Sequence, residues 1–197
     1  MNSGGASSAS TGSRGPCSRR TTHAGVVTLL HISDTHMLHR TLLPEHLPDA
    51  DILVHTGDFT NSGTDLEFAD FNDWLGTLRH RYKHIVVVCG NHEYRAQPLA
   101  PDVLSPDFAK KRLFNASHVL HHETAEIEGL VFFGSPWCCW ADHADPDKAS
   151  RSPAHADAFA RWSLLPEALD CSGAVRTNRF DEIPNSRLDV LLTHCPP

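Results

Sequence analysis

The sequence predicts an α/β fold built on a mostly parallel sheet. Three observations lead there. Short apolar runs rich in β-branched residues recur at VVTLLHIS (26–33), DILVHT (51–56), HIVVVC (84–89) and LDVLL (188–192). Runs of this kind read as buried strands of a parallel sheet. A helical pattern lies between the second and third runs, which gives a strand–helix–strand unit. Finally, each run ends in a polar motif: Asp34-Thr35-His36, Gly57-Asp58, Gly90-Asn91-His92-Glu93 and Thr193-His194. Ligands of open α/β sheets bind beyond the carboxyl ends of the strands, so these side chains should gather at one edge. Oxygen and imidazole donors together suit hard and borderline divalent cations.

Each element has its own signal. Residues 26–32 and 52–55 form the first two strands. Thr64-Asp65-Leu66-Glu67 matches a capping box, which starts a helix. Leu66, Ala69, Phe71, Trp74, Leu75 and Leu78 keep helical spacing as far as about Arg81. A third strand covers 85–88, and a short helix covers 107–114. Short strands follow at 118–120, 124–127 and 130–133, the last two joined by a Glu128-Gly129 turn. Gly134-Ser135-Pro136-Trp137 closes that unit. A helix is expected over 154–165 and a final buried strand over 188–192.

At 197 residues the chain suits one well-buried domain and is short for two. Residues 1–24 are rich in Ser, Gly, Thr and Ala and hold no acidic residue, which predicts a disordered tail before a folded domain at 25–197. The tail shares Arg and Ser with mitochondrial transit peptides but lacks their apolar stripe. A net charge of -7 argues against a general nucleic-acid-binding surface. No run is long and apolar enough for a membrane span, and no secretory h-region is present. The six cysteines form no CxxC pair, which points to reduced thiols in a cytoplasmic protein.

The order DTH, GD, GNHE, TH resembles the calcineurin-like metallophosphoesterases, from about Val26 onward. The resemblance implies a two-sheet sandwich flanked by helices. It also implies dinuclear metal-dependent hydrolysis of a phosphoester, of phosphodiesterase type, by attack of a hydroxide that bridges two divalent cations (manganese, iron, zinc or magnesium). Asp58 matches the carboxylate shared by both cations. Asp34 and His36 serve the first, brought to one side by an extended segment, and Asn91 and His194 serve the second. His92 acts on the substrate and holds no metal, and Glu93 orients His92 by a hydrogen bond. The pieces GSPW and THCPP resemble a subgroup of metallophosphoesterase-domain proteins described from brain, linked to cyclic nucleotides. A small phosphoester, with a cyclic nucleotide as candidate, is the implied substrate.

The family's Gly-His-x-His block does not occur, and THCPP ends the sequence at Pro197. By resemblance that block gives each cation one more imidazole. The second sheet is therefore expected to be incomplete and the chain to be poorly active. A non-catalytic protein that binds metal or nucleotide, or an incomplete gene product, are the competing readings. Single residues also have bland readings. Asp34 and Asp58 fit turns or helix caps, Asn91 fits a turn with positive φ, and His194 fits an ordinary exposed histidine. His31 and His55 read as packed or supporting groups, His121-His122 as a surface pair, and Trp137 and Trp140 as core or pocket wall.

Overall fold

The computed structural model describes residues 25–95, 105–136 and 182–194. The 1–24 tail, the 154–165 helix, Trp137, Trp140 and every cysteine but Cys89 lie outside them. Among the described residues, seven strands form two sheets. The first holds β1 (Leu29–Ile32), β2 (Ile52–Thr56), β3 (His84–Val88) and β4 (His118–Val119), in that order and all parallel. The second holds β5 (Glu123–Ile127), β6 (Leu130–Ser135) and β7 (Val190–Thr193). Strands β5 and β6 form an antiparallel hairpin, and β7 adds parallel to β6. Glu128 and Gly129 turn the hairpin with φ of 52° and 77°, as a two-residue loop with twist-matched strands requires.

Helix α1 (Asp65–Leu78) follows β2 and returns the chain to β3. Its capping box is formed: the Thr64 hydroxyl accepts from the Glu67 N–H, and the Glu67 carboxylate accepts from the Thr64 N–H. Phe68, Phe71, Trp74, Leu75 and Leu78 pack on Leu53, Ile85 and Val87 from one face of the first sheet. The alternate residues Ile52, Val54, Val86 and Val88 pack on Ile127, Phe132 and Leu192 of the second sheet. Strands β2 and β3 are thus covered on both faces, which explains their unbroken apolar runs. The expected two-sheet sandwich with a parallel main sheet is the observed fold.

Other expectations need adjustment. Strand β1 is an edge strand with alternating exposure, not a buried one: Leu30 and Ile32 pack on the helix side, while Leu29 and His31 stay exposed. In β7 only Leu192 is buried; Leu191, on the opposite face at the strand's outer side, is 40% exposed. The short helix α2 (Asp107–Lys110) ends before Phe114, and the Asn115 N–H bonds to the Asn72 side chain instead of extending it.

Two buried histidines sit under this framework. His39 Nε2–H donates to the Asp70 carboxylate, 2.9 Å away, yet burial holds the His39 pKa below the ordinary 6.5 despite that carboxylate. His55 has no exposed surface, and burial, reinforced by nearby histidines, pushes its pKa down to about 3. As pH falls, the unfolded chain takes up these protons first. The stabilisation is complete above about 6.5 and is lost progressively below it, at roughly 1.4 kcal/mol per pH unit for each proton. Urea midpoints should therefore drop between pH ~7 and ~5, and His55→Gln should remove about one proton from that slope. An unchanged slope in the variant would contradict a neutral buried His55.

Candidate metal centre

The polar motifs meet at the carboxyl ends of the strands because neighbouring loops pair with each other. After β1 the chain does not stay extended. Asp34, His36 and Met37 have φ of 55°, 42° and 66°. Their N–H groups donate to the carbonyls of Gly57, Asp58 and Phe59. Left-handed backbone thus replaces the extended segment expected here, and it still brings His36 Nε2 to 4.0 Å from Asp34 Oδ1. Asp58 also has positive φ, 54°, whereas Asn91 has φ of -75° and is not a left-handed turn residue. Such conformations are uncommon for residues other than glycine, and they cluster at functional sites.

Gly57 has φ of 100°, and a Cβ there would lie 2.4 Å from the Gly90 nitrogen. A Cβ on Gly90 would lie 2.4 Å from Asp58 Oδ1 and 2.9 Å from His194 Cε1. Both glycines are needed so that the GD and GN loops can touch.

Three imidazoles share one mode of attachment. His36 Nδ1 faces the Thr60 carbonyl at 3.3 Å, His92 Nδ1 the Asn61 carbonyl at 2.6 Å, and His194 Nδ1 the Thr56 carbonyl at 2.7 Å. A carbonyl only accepts, so each Nδ1 carries the donating hydrogen. Each Nε2 then turns toward Asp58, whose carboxylate is almost fully buried. His36 and His92 approach its Oδ2 at 3.9 and 3.6 Å, and His194 approaches its Oδ1 at 3.4 Å. Imidazoles pinned through one nitrogen with the other directed at a carboxylate are arranged as metal ligands are.

Among the described residues, two donor groups could each hold an ion: His36, Asp58 and His92, and Asp34, Asp58 and His194, with ligand atoms within 4.8 Å of one another. The grouping differs from the sequence expectation, which paired Asp34 with His36 and kept His92 apart. Asn91 Oδ1 lies 3.2 Å from His194 Nε2, beside the second group.

The electrostatics match this arrangement. Burial opposes charge on His194, but the Asp58 hydrogen bond and charge win and raise its pKa to about 9. A proton on Nε2 then occupies the place between Asp58 and Asn91 that a cation would contest. Burial works against ionised Asp58, yet His194 and the His92 N–H hold its carboxyl below the usual value. Burial lowers the His92 pKa despite Asp58, which leaves Nε2 a free lone pair.

Sequence reasoning misplaced Glu93. Its oxygens accept from the N–H groups of Asp58, Thr60 and Gly90 and from the Thr60 hydroxyl, and no hydrogen bond to His92 is formed. The His92 ring is held by the Asn61 carbonyl instead. His121 and His122 are not a surface pair: His121 is buried beside Tyr94, and His122 contacts Ser135 and Glu182. His55 is a supporting group, as expected; its Nδ1 accepts from the Gly57 N–H and its Nε2 meets Thr35 Oγ1. Thr56, Thr60 and Asn61 escaped notice because they act through backbone carbonyls, which leave no mark in residue type.

A family model described as calcineurin-like phosphoesterase matches residues 27–197. The chain belongs to this family. Among its relatives, a UPF0046 protein of Caenorhabditis elegans is 31% identical over 87% of the chain and 54% of its own length. Metallophosphoesterase domain-containing protein 1 of Homo sapiens is 30% identical over 88% of the chain and 49% of its own length. The chain therefore spans about half the length of these relatives. Among solved structures, the phosphopantetheinyl hydrolase of Mycobacterium tuberculosis aligns with TM-score 0.44 and 20% identity, over 86% of this chain and 68% of that one. In this calcineurin-like phosphoesterase, among the described residues, no helix is long and apolar enough to cross a membrane.

Gly90→Ala tests the contact between the two loops. It should destabilise the fold by about 1–3 kcal/mol, as overpacking does, and weaken divalent-cation binding by displacing Asp58. Urea unfolding and calorimetric titration with Mn²⁺ measure both effects. Wild-type values in both would show that the loops have slack.

Proposed function

We propose that the protein hydrolyses phosphoester bonds, as a phosphodiesterase, with two divalent cations that share Asp58. The observation that carries this reading is the division of the Asp58 carboxylate between two donor groups, Oδ2 toward His36 and His92 and Oδ1 toward His194. His36 would hold the first cation and His194 with Asn91 the second, with Asp34 between them. The donors are oxygen and imidazole, which fit manganese, iron, zinc or magnesium. Bound cations would supply Lewis-acid activation of water and of the phosphoryl group.

This chain's own residues orient and exclude. The carbonyls of Thr56, Thr60 and Asn61 fix the three imidazole tautomers. The His92 backbone N–H fixes Asp58 Oδ1 at 2.9 Å. With Nδ1–H committed to Asn61, His92 Nε2 is the atom available to carry a proton to or from a leaving oxygen. A small phosphoester, with a cyclic nucleotide as the candidate, is the proposed substrate, and the cytoplasm the proposed location.

Asp58→Asn should lower bound Mn²⁺ and reduce hydrolysis of bis-p-nitrophenyl phosphate by about 100-fold or more. Retained turnover with full metal content would sink the assignment. A second reading of His92 follows from its place in the His36 donor group: Nε2 is a cation ligand and does not serve the substrate. His92→Ala separates the two roles. Under the substrate role it keeps its metal content and loses most of the rate; under the ligand role it loses metal as Asp58→Asn does.

A further inference from the structure

The GD and GN loops exchange carboxylates. Asp58, from the first, accepts the His92 N–H of the second through Oδ1 at 2.9 Å. Glu93, from the second, accepts the Asp58 N–H of the first through Oε2 at 2.9 Å. The arrangement is a capping box drawn between two loops instead of within one helix turn. Glu93 goes further. Oε2 also takes the Gly90 N–H, and Oε1 takes both the N–H and the hydroxyl of Thr60, at 2.9 Å each. Glu93 and Thr60 have no exposed surface. Without this carboxylate, three backbone donors and one hydroxyl would be buried without their partner.

A Cβ on Gly63 would lie 2.2 Å from the Glu93 carbonyl oxygen, so the segment after Thr60 folds directly over the Glu93 backbone. Burial and the Asp58 charge both raise the Glu93 pKa, and the Thr60 and Gly90 donors oppose them. A carboxylate kept in such a place is there for its acceptor geometry.

We propose that Glu93 is a positioning residue: it locks the backbone of residues 57–60 to that of 90–93 and so holds the Asp58 carboxylate in register with Asn91, His92 and His194. The lock stands on the metal-free geometry; its consequence for cations rests on the two-cation reading above. A glutamine in this position keeps one acceptor oxygen. Its NH₂ faces either the Asp58 and Gly90 N–H groups, which loses two hydrogen bonds, or Thr60, which loses the N–H bond while the hydroxyl can turn to accept.

The test uses Glu93→Gln in the full chain, with Glu93→Asp as the second variant. Aspartate keeps the charge but shortens the arm, and it carries the measurement if the glutamine variant does not fold. In metal-free protein, amide exchange at Asp58, Thr60 and Gly90 should quicken by about tenfold or more, while β2 and β3 stay protected. Mn²⁺ affinity measured by titration calorimetry should fall by about tenfold. Unchanged exchange at those three amides, or loss of protection spread evenly over β2 and β3, overturns the lock. Faster local exchange with wild-type Mn²⁺ affinity overturns its link to the cation site. A wild-type chain that binds no Mn²⁺ refutes the two-cation reading, and the exchange data still decide the lock.

Discussion

The exchange of carboxylate acceptors between the Asp58 loop and the His92-Glu93 loop is the constraint on which the rest of the site depends. Two loops that follow different strands touch closely enough that neither Gly57 nor Gly90 can carry a side chain. At that separation the backbone donors lose access to water, and a buried donor without a partner is costly. Each loop supplies the other's acceptor, Asp58 for His92 and Glu93 for Asp58. The 57–61 segment is pinned in turn, and its carbonyls set the direction of His36 and His92.

This arrangement needs a rigid floor. Strands β2 and β3 lie in the middle of the parallel sheet, with α1 on one face and the second sheet on the other. Their residues are almost wholly buried, so the strand ends from which Gly57 and Gly90 emerge have little freedom. Left-handed backbone at Asp34, His36 and Asp58 is stored against this framework. His55 extends the support from the core to the loops, as a neutral imidazole among Phe59 and Phe71 that bonds to the Gly57 N–H.

The second sheet gives the site its far wall. Gly134 of β6 packs so closely on Leu120 and Val88 that a Cβ there would lie 2.3 Å from Leu120 Cβ. That contact draws β6 against the first sheet. Strand β7, parallel to β6, then delivers His194 to the carbonyl of Thr56, 138 residues earlier in the chain. The chain belongs to the calcineurin-like phosphoesterases, and this edge is where its two candidate metal-ligand groups lie.

Much of this was legible in the sequence. Apolar runs show burial directly, so β2, β3 and the parallel sheet could be read from residue type. The capping box marked the start of α1 because its partners are three residues apart. Asp34, His36, Asp58, Asn91, His92 and His194 could be named because strand ends in such a sheet converge on one edge. Only the tertiary structure decided how they meet. It showed that β1 is an edge strand with alternating exposure, that only Leu192 of β7 is buried, that His121 and His122 are drawn inward, and that Glu93 serves Asp58 and Thr60 and not His92. It also set His92 in one candidate donor group with His36 and Asp58, and Asp34 in another with Asp58 and His194. The reason is physical: sequence records which side chains can bond, while the choice of partner is made by backbone N–H and C=O groups brought close by packing, and these are the same in every residue but proline.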